Sequence, residues 1–168
     1  LAALVQEAAT RMSSLRPLEI ARAALCTKVE RYGVYNERKS YDGVNKLLAG
    51  KAQRLLVYIE LENFGDAPGA QDGVDGFSVD LTVGLSLHHL GQGADLLAWR
   101  MADERVSVFS RNHRREFFLT IVADLPETLS VDSYNLKAHV TDENSGAVAE
   151  RLIRIDVVAD ASAFAKSR

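Results

Sequence analysis

Cysteine is nearly absent from this 168-residue sequence: Cys26 is the only one. A single cysteine forms no internal disulfide, so the fold must hold by packing alone. Reduced thiols suit a cytoplasmic setting, but large envelope domains also do without disulfides, so the compartment stays open. No apolar run approaches the ~18 residues that a membrane helix needs. No signal peptide is visible, and a chain that starts at Leu1 rather than methionine reads as a processed or partial one. Charge of one sign is missing too. The net charge is −3, which gives no general pull toward nucleic acid or anionic lipid. Also missing are an Asn-x-Ser/Thr sequon, a Gly-x-Ser-x-Gly elbow, a phosphate loop and a dinucleotide fingerprint.

Hydrophobic residues make up 47% of the chain and charged residues 26%, the balance of an ordinary globular domain. A chain of this length hides roughly two thirds of its unfolded surface, enough for a core without staples. The pattern divides into a helix over residues 1–16, a β-domain over 17–160 and a polar tail over 161–168. Leu1, Leu4, Val5, Ala8, Met12 and Leu15 recur at a helical period, and Pro17 ends that segment. From Leu18 onward the period is two. Leu55, Val57, Ile59 and Leu61 alternate with Leu56, Tyr58, Glu60 and Glu62, and Phe77 to Leu87 alternates with serine, aspartate and threonine. Further strands are expected over 18–35, 96–101, 105–109, 116–125, 133–141 and 147–158. Residues 65–76 read as a Gly- and Pro-rich loop, 142–146 as a hairpin turn, and 44–50 as a helical turn closed by Gly50. Seven or more strands without a βαβ rhythm imply a mainly β fold, an antiparallel sandwich behind a short helix.

Two resemblances sharpen this. The run from Leu129 through Tyr134 to Asp142 resembles a late strand of immunoglobulin-like and fibronectin-like domains. That resemblance implies an immunoglobulin-like sandwich in which Tyr134 clasps nearby backbone. Asp132-Ser133 stands where such domains usually have Pro-Gly. The stretches Gly50–Phe64 and Arg111–Phe118 resemble those of uncharacterised bacterial proteins, a likeness covering roughly residues 18–158. Its motifs are structural and carry no catalytic residue.

Several residues invite a functional reading beside a plain one. Asp66, Asp72, Asp75 and Asp80 fall in or near a Gly-rich loop without an intervening cation, as a weak calcium site would need; a solvated loop is the plainer reading. Arg111, Arg114 and Arg115 suit carboxylates or phosphates of a partner, or else end a solvated strand. Trp99 and Tyr58 offer rings for a ligand surface, or core packing. The four histidines lack zinc spacing, and His88-His89 point to opposite strand faces. Cys26, among alanines and leucine, reads as a buried structural thiol.

The expectation is a non-enzymatic interaction module for a protein or glycan, without cofactor, nucleic acid or membrane span, and with an envelope or secreted setting favoured. A homodimer through the helix is a further expectation. The alternatives are a structural spacer of a longer protein and a metal-dependent hydrolase.

Overall fold

A computed structural model describes residues 16–39, 42–91 and 96–164. The expected helix over 1–16 lies outside the described residues apart from Arg16, and so does a dimer made through it. The described chain is mainly β, with eleven strands in two sheets.

The smaller sheet has the order β2-β1-β4-β9, built from β1 (Glu19–Arg31), β2 (Val34–Glu37), β4 (Gln53–Glu62) and β9 (Phe117–Leu125). The larger has the order β3-β11-β10-β6-β5, from β3 (Asn45–Leu48), β11 (Val148–Val158), β10 (Asp132–Asp142), β6 (Val74–His89) and β5 (Ala67–Gln71). Two more strands, β7 (Leu97–Arg100) and β8 (Glu104–Ser110), also pair with β6. Leu81 of β6 pairs with Asp142 of β10 and with Val106 of β8, so β8 flanks β6 on the side away from β10. The 16 residues of β6 thus give the larger sheet its spine.

Alternation fixes which residues face inward. Leu55, Val57, Ile59 and Leu61 of β4, Leu81 to Leu87 at every second position of β6, and Leu136, Ala138 and Val140 of β10 are all buried. Together with Phe117 to Leu125 of β9 and Ile153 to Val157 of β11 they form one cluster, so the two sheets share a core. The odd positions of β9 are buried while Thr120, Val122 and Asp124 are exposed, the signature of a sheet with one covered face.

Three segments differ from the sequence reading. Residues 45–48 form a strand rather than a helical turn, and β3 runs parallel to β11 from Asn45↔Ile155 to Leu48↔Val158. The fold is therefore not purely antiparallel. The cause is tertiary: Leu47 is buried in the shared core, and the Asn45 side-chain amide donates to the Arg154 carbonyl at 3.2 Å. Residues 65–76 are not one loop. They hold β5 and the start of β6, joined at Asp72-Gly73, where both residues have positive φ (51° and 75°). Two such residues make the tight turn that matches strand twist, and Pro68 sits on a strand where a missing N–H is tolerated. In the tail, Ala161–Phe164 is a 3-10 turn whose Ala163 carbonyl accepts from Lys46 Nζ at 3.0 Å.

Tyr134 is fully buried near the start of β10, and its hydroxyl donates to the Ser130 carbonyl at 2.9 Å. Its ring stacks on His89 at 4.7 Å. His89 in turn reaches the Asp132 carboxylate at 2.7 Å. That hydrogen bond, with one from the Ser133 N–H, holds the Asp132 carboxyl below the ordinary aspartate value.

Candidate functional site

Pairing of β6 with β8, from Phe77↔Ser110 to Val83↔Glu104, carries two distant segments to one end of the fold. One is the β5–β6 hairpin, with Asp72 at its turn and Asp75 beside it. The other is the β8–β9 loop, residues 111–116. The approach is close because residue 76 is glycine: a Cβ there would collide with the Ser110 carbonyl oxygen and the Phe109 ring.

His113 pins the loop. Its Nδ1 lies 2.8 Å from Asp66 Oδ2, and its ring stacks on Phe77 with centroids 3.7 Å apart. Asp66 is half-buried, so this is a supported contact rather than a solvated one. Every residue from Arg111 to Glu116 is exposed. Arg111 lines a shallow groove of about 450 Å³ with Pro68, Gly69, Asp75, Gly76 and Phe77. Arg114 lies over the Phe117 ring, 5.9 Å from its centroid. None of Arg111, Arg114 and Arg115 makes an ion pair among the described residues. Three guanidinium groups thus stand in solvent on a loop anchored beneath them. A guanidinium keeps its proton at neutral pH and presents a planar fork of donors, so such a surface binds carboxylates, sulfates or phosphates.

A scan against family models and a search of curated proteins find no match to this chain.

The other sequence candidates fall elsewhere. Asp66 is taken by His113 and Asp72 by the hairpin turn. Asp75 faces the groove, and Asp80 lies further along β6 opposite Ser107. Among the described residues no three His, Cys, Asp or Glu side chains are grouped for a metal ion. Trp99 of β7 is half-buried and packs against the shared core. Tyr58 is fully buried, and Cys26 is 4% exposed. Burial first, and the Glu37 charge second, push the Cys26 thiol up to about 11, so it stays protonated at neutral pH. His88 and His89 take opposite faces: His88 meets Ser86 at 2.9 Å, and His89 stacks inward on Tyr134.

A second groove of about 580 Å³ lies where β1 meets β11 and reaches onto the outer face of the larger sheet, past Glu19, His88, Asn135, Lys137, Glu150 and Leu152. Its charges answer one another, with Lys137 Nζ 3.8 Å from Glu150. The arginines of the β8–β9 loop differ in making no ion pair among the described residues.

The arginines were visible in the sequence. Phe77, Gly76 and the Asp66–His113 contact were not, because only the β6–β8 pairing makes them neighbours. The Asp72-Gly73 pair was the one local signal of that geometry.

Proposed function

We propose that this chain is a non-enzymatic interaction module, built on an immunoglobulin-like sandwich, that binds an acidic protein or glycan through the β8–β9 loop. The observation that carries the reading is the set of three exposed arginines, without an ion pair among the described residues, on a loop fixed by His113 between Asp66 and Phe77. Arginine serves binding rather than proton transfer, and a pre-anchored loop loses less freedom when a partner docks.

Strand order supports the immunoglobulin-like part. The chain enters through β1 in one sheet and then crosses to β3, which lies parallel to the last strand of the other sheet. In that arrangement β4 and β9 neighbour each other in the first sheet, while β6, β10 and β11 are consecutive in the second. The bond from the Tyr134 hydroxyl to backbone four residues upstream, at the start of β10, supports the immunoglobulin-like part further, since the tyrosine corner of such domains bonds in the same way.

The reading is tested with poly-L-glutamate as an acidic probe at low ionic strength, followed by fluorescence anisotropy. Wild-type protein is expected to bind, and R111E/R114E/R115E to bind at least about tenfold more weakly. Added salt should weaken the wild-type interaction. Equal affinity of the two proteins would overturn the assignment of this loop.

A further inference from the structure

Among the described residues strand β9 is an edge that pairs with β4 alone, in unbroken register from Leu61↔Phe117 to Gln53↔Leu125. Among the described residues, none of its backbone groups bonds to any other segment. Soluble proteins blunt such edges with lysine, proline, a bulge or short length. The sequence Phe-Phe-Leu-Thr-Ile-Val-Ala-Asp-Leu has no lysine, proline or bulge over nine residues, and its one charge, Asp124, is already bonded to Arg54. The other edges are guarded: β2, β3 and β7 have four residues each, β5 contains Pro68 and Gly69, and β8 begins Glu104-Arg105. Val122 adds an apolar side chain 47% exposed in the middle of the outer face of β9.

We infer that two copies of this chain join β9 to β9 in antiparallel fashion about a two-fold axis at Ile121, merging their two four-stranded sheets into one continuous sheet. Antiparallel partners must share a face, so even-numbered residues meet even-numbered ones. Centring on Ile121 pairs all nine residues of the strand. It sets Thr120 against Val122 of the second copy, and Phe118 against Asp124. Along the joined rows each carboxylate then has an arginine as its cross-strand neighbour, and Phe118 separates the two carboxylates. Within one copy Arg22 pairs with Glu60 and Glu60 with Phe118. The row continues into Asp124 and Arg54 of the second copy, already bonded to each other at 3.0 Å. A shift of one pair toward the start of the strand would instead set Asp124 against Glu116, two carboxylates face to face.

The pairing stands on β9 alone. Its consequence rests on the function proposed above. The β8–β9 loop leads directly into Phe117, so the two arginine loops would lie at opposite ends of the joined strands, about 30 Å apart. The dimer would be bivalent toward an extended acidic partner.

Light scattering of the full chain over a concentration series, without any ligand, tests the pairing separately from the poly-L-glutamate experiment. The wild type is expected to show twice the chain mass at high concentration. Thr120→Glu and Val122→Lys are both exposed substitutions that leave the core untouched. Each places like charges diagonally across the two-fold axis and should weaken association about tenfold. Mixing the two variants sets the introduced carboxylate of one copy directly against the introduced ammonium of the other and should restore the dimer. A monomer at every concentration, a dimer that Val122→Lys leaves unchanged, or a mixture that fails to recover would each overturn the inference.

Discussion

Replacing Asp142 with alanine is expected to lower the unfolding free energy by about 3 kcal/mol. Asp142 ends β10 and is fully buried. Its carboxylate accepts from the Gly65 N–H at 2.6 Å, the Asn144 N–H at 2.9 Å and the Ser145 hydroxyl at 2.9 Å. One side chain therefore ties the segment after β4 to the turn between β10 and β11. Hydrogen bonds to a charged acceptor contribute roughly 1.5–3 kcal/mol each, and a stranded buried donor costs about as much. Asn144 and Ser145 are exposed, so water recovers part of their loss, while Gly65 recovers less. Asp142→Asn should lose about 2 kcal/mol, since both carboxylate oxygens accept, from Gly65 and Ser145 on one side and from Asn144 on the other, and an amide must turn its NH2 toward one of those donors. Urea denaturation measures both variants. A loss under about 1 kcal/mol for alanine would show that the carboxylate is not the tie described.

Tyr58→Ala is expected to cost about 4 kcal/mol, and Tyr58→Phe only about 1. Tyr58 lies on the outer side of the smaller sheet, away from the shared core, yet it is fully buried. The β1–β2 hairpin covers it. Register shifts at Cys26/Lys28 and Val29/Arg31 increase the local twist and carry the hairpin over the sheet. Tyr35 then stacks on Tyr58 at 4.2 Å, Phe118 closes from the other side at 5.7 Å, and Arg22 lies over Tyr35. The Tyr58 hydroxyl accepts from the Gly33 N–H at 2.8 Å and donates to Glu60 at 2.7 Å. Burial, followed by the bond to Glu60, raises its pKa. Phenylalanine keeps the ring packing and loses only those bonds, with exposed Gly33 free to turn to water. Alanine empties the cluster and uncovers Cys26, so thiol labelling should accelerate along with the drop in stability. A phenylalanine variant as unstable as the alanine one would mean that hydroxyl bonding, not ring packing, holds the hairpin down.

Period-two alternation makes β4, β6, β9, β10 and β11 legible in the sequence, because each turns one apolar face to the shared core and sets mostly polar or small residues on the other. Three things escaped it for physical reasons. The helical reading of Val44–Gly50 rested on local propensity, and the parallel β11 edge with the Leu47 pocket overrode it. Residues 65–76 have a loop composition, which hides the Asp72-Gly73 turn and the two short strand segments on either side of it. Tyr58 sits on the face of β4 that turns polar toward Glu60 and Glu62, and nothing local announces that a hairpin folds over it. At the candidate site the same division holds. The arginines are a local feature, while their support from Asp66, Phe77 and Gly76 exists only once β6 and β8 pair.

The most direct test of the binding surface is a set of amide correlation spectra recorded while poly-L-glutamate is titrated into the full chain. The largest shifts are expected at Arg111, His113, Arg114 and Arg115, with much smaller ones at Asn135 and Lys137 in the groove of the larger sheet. Shifts centred on that groove, or spread evenly over the molecule, would contradict the account.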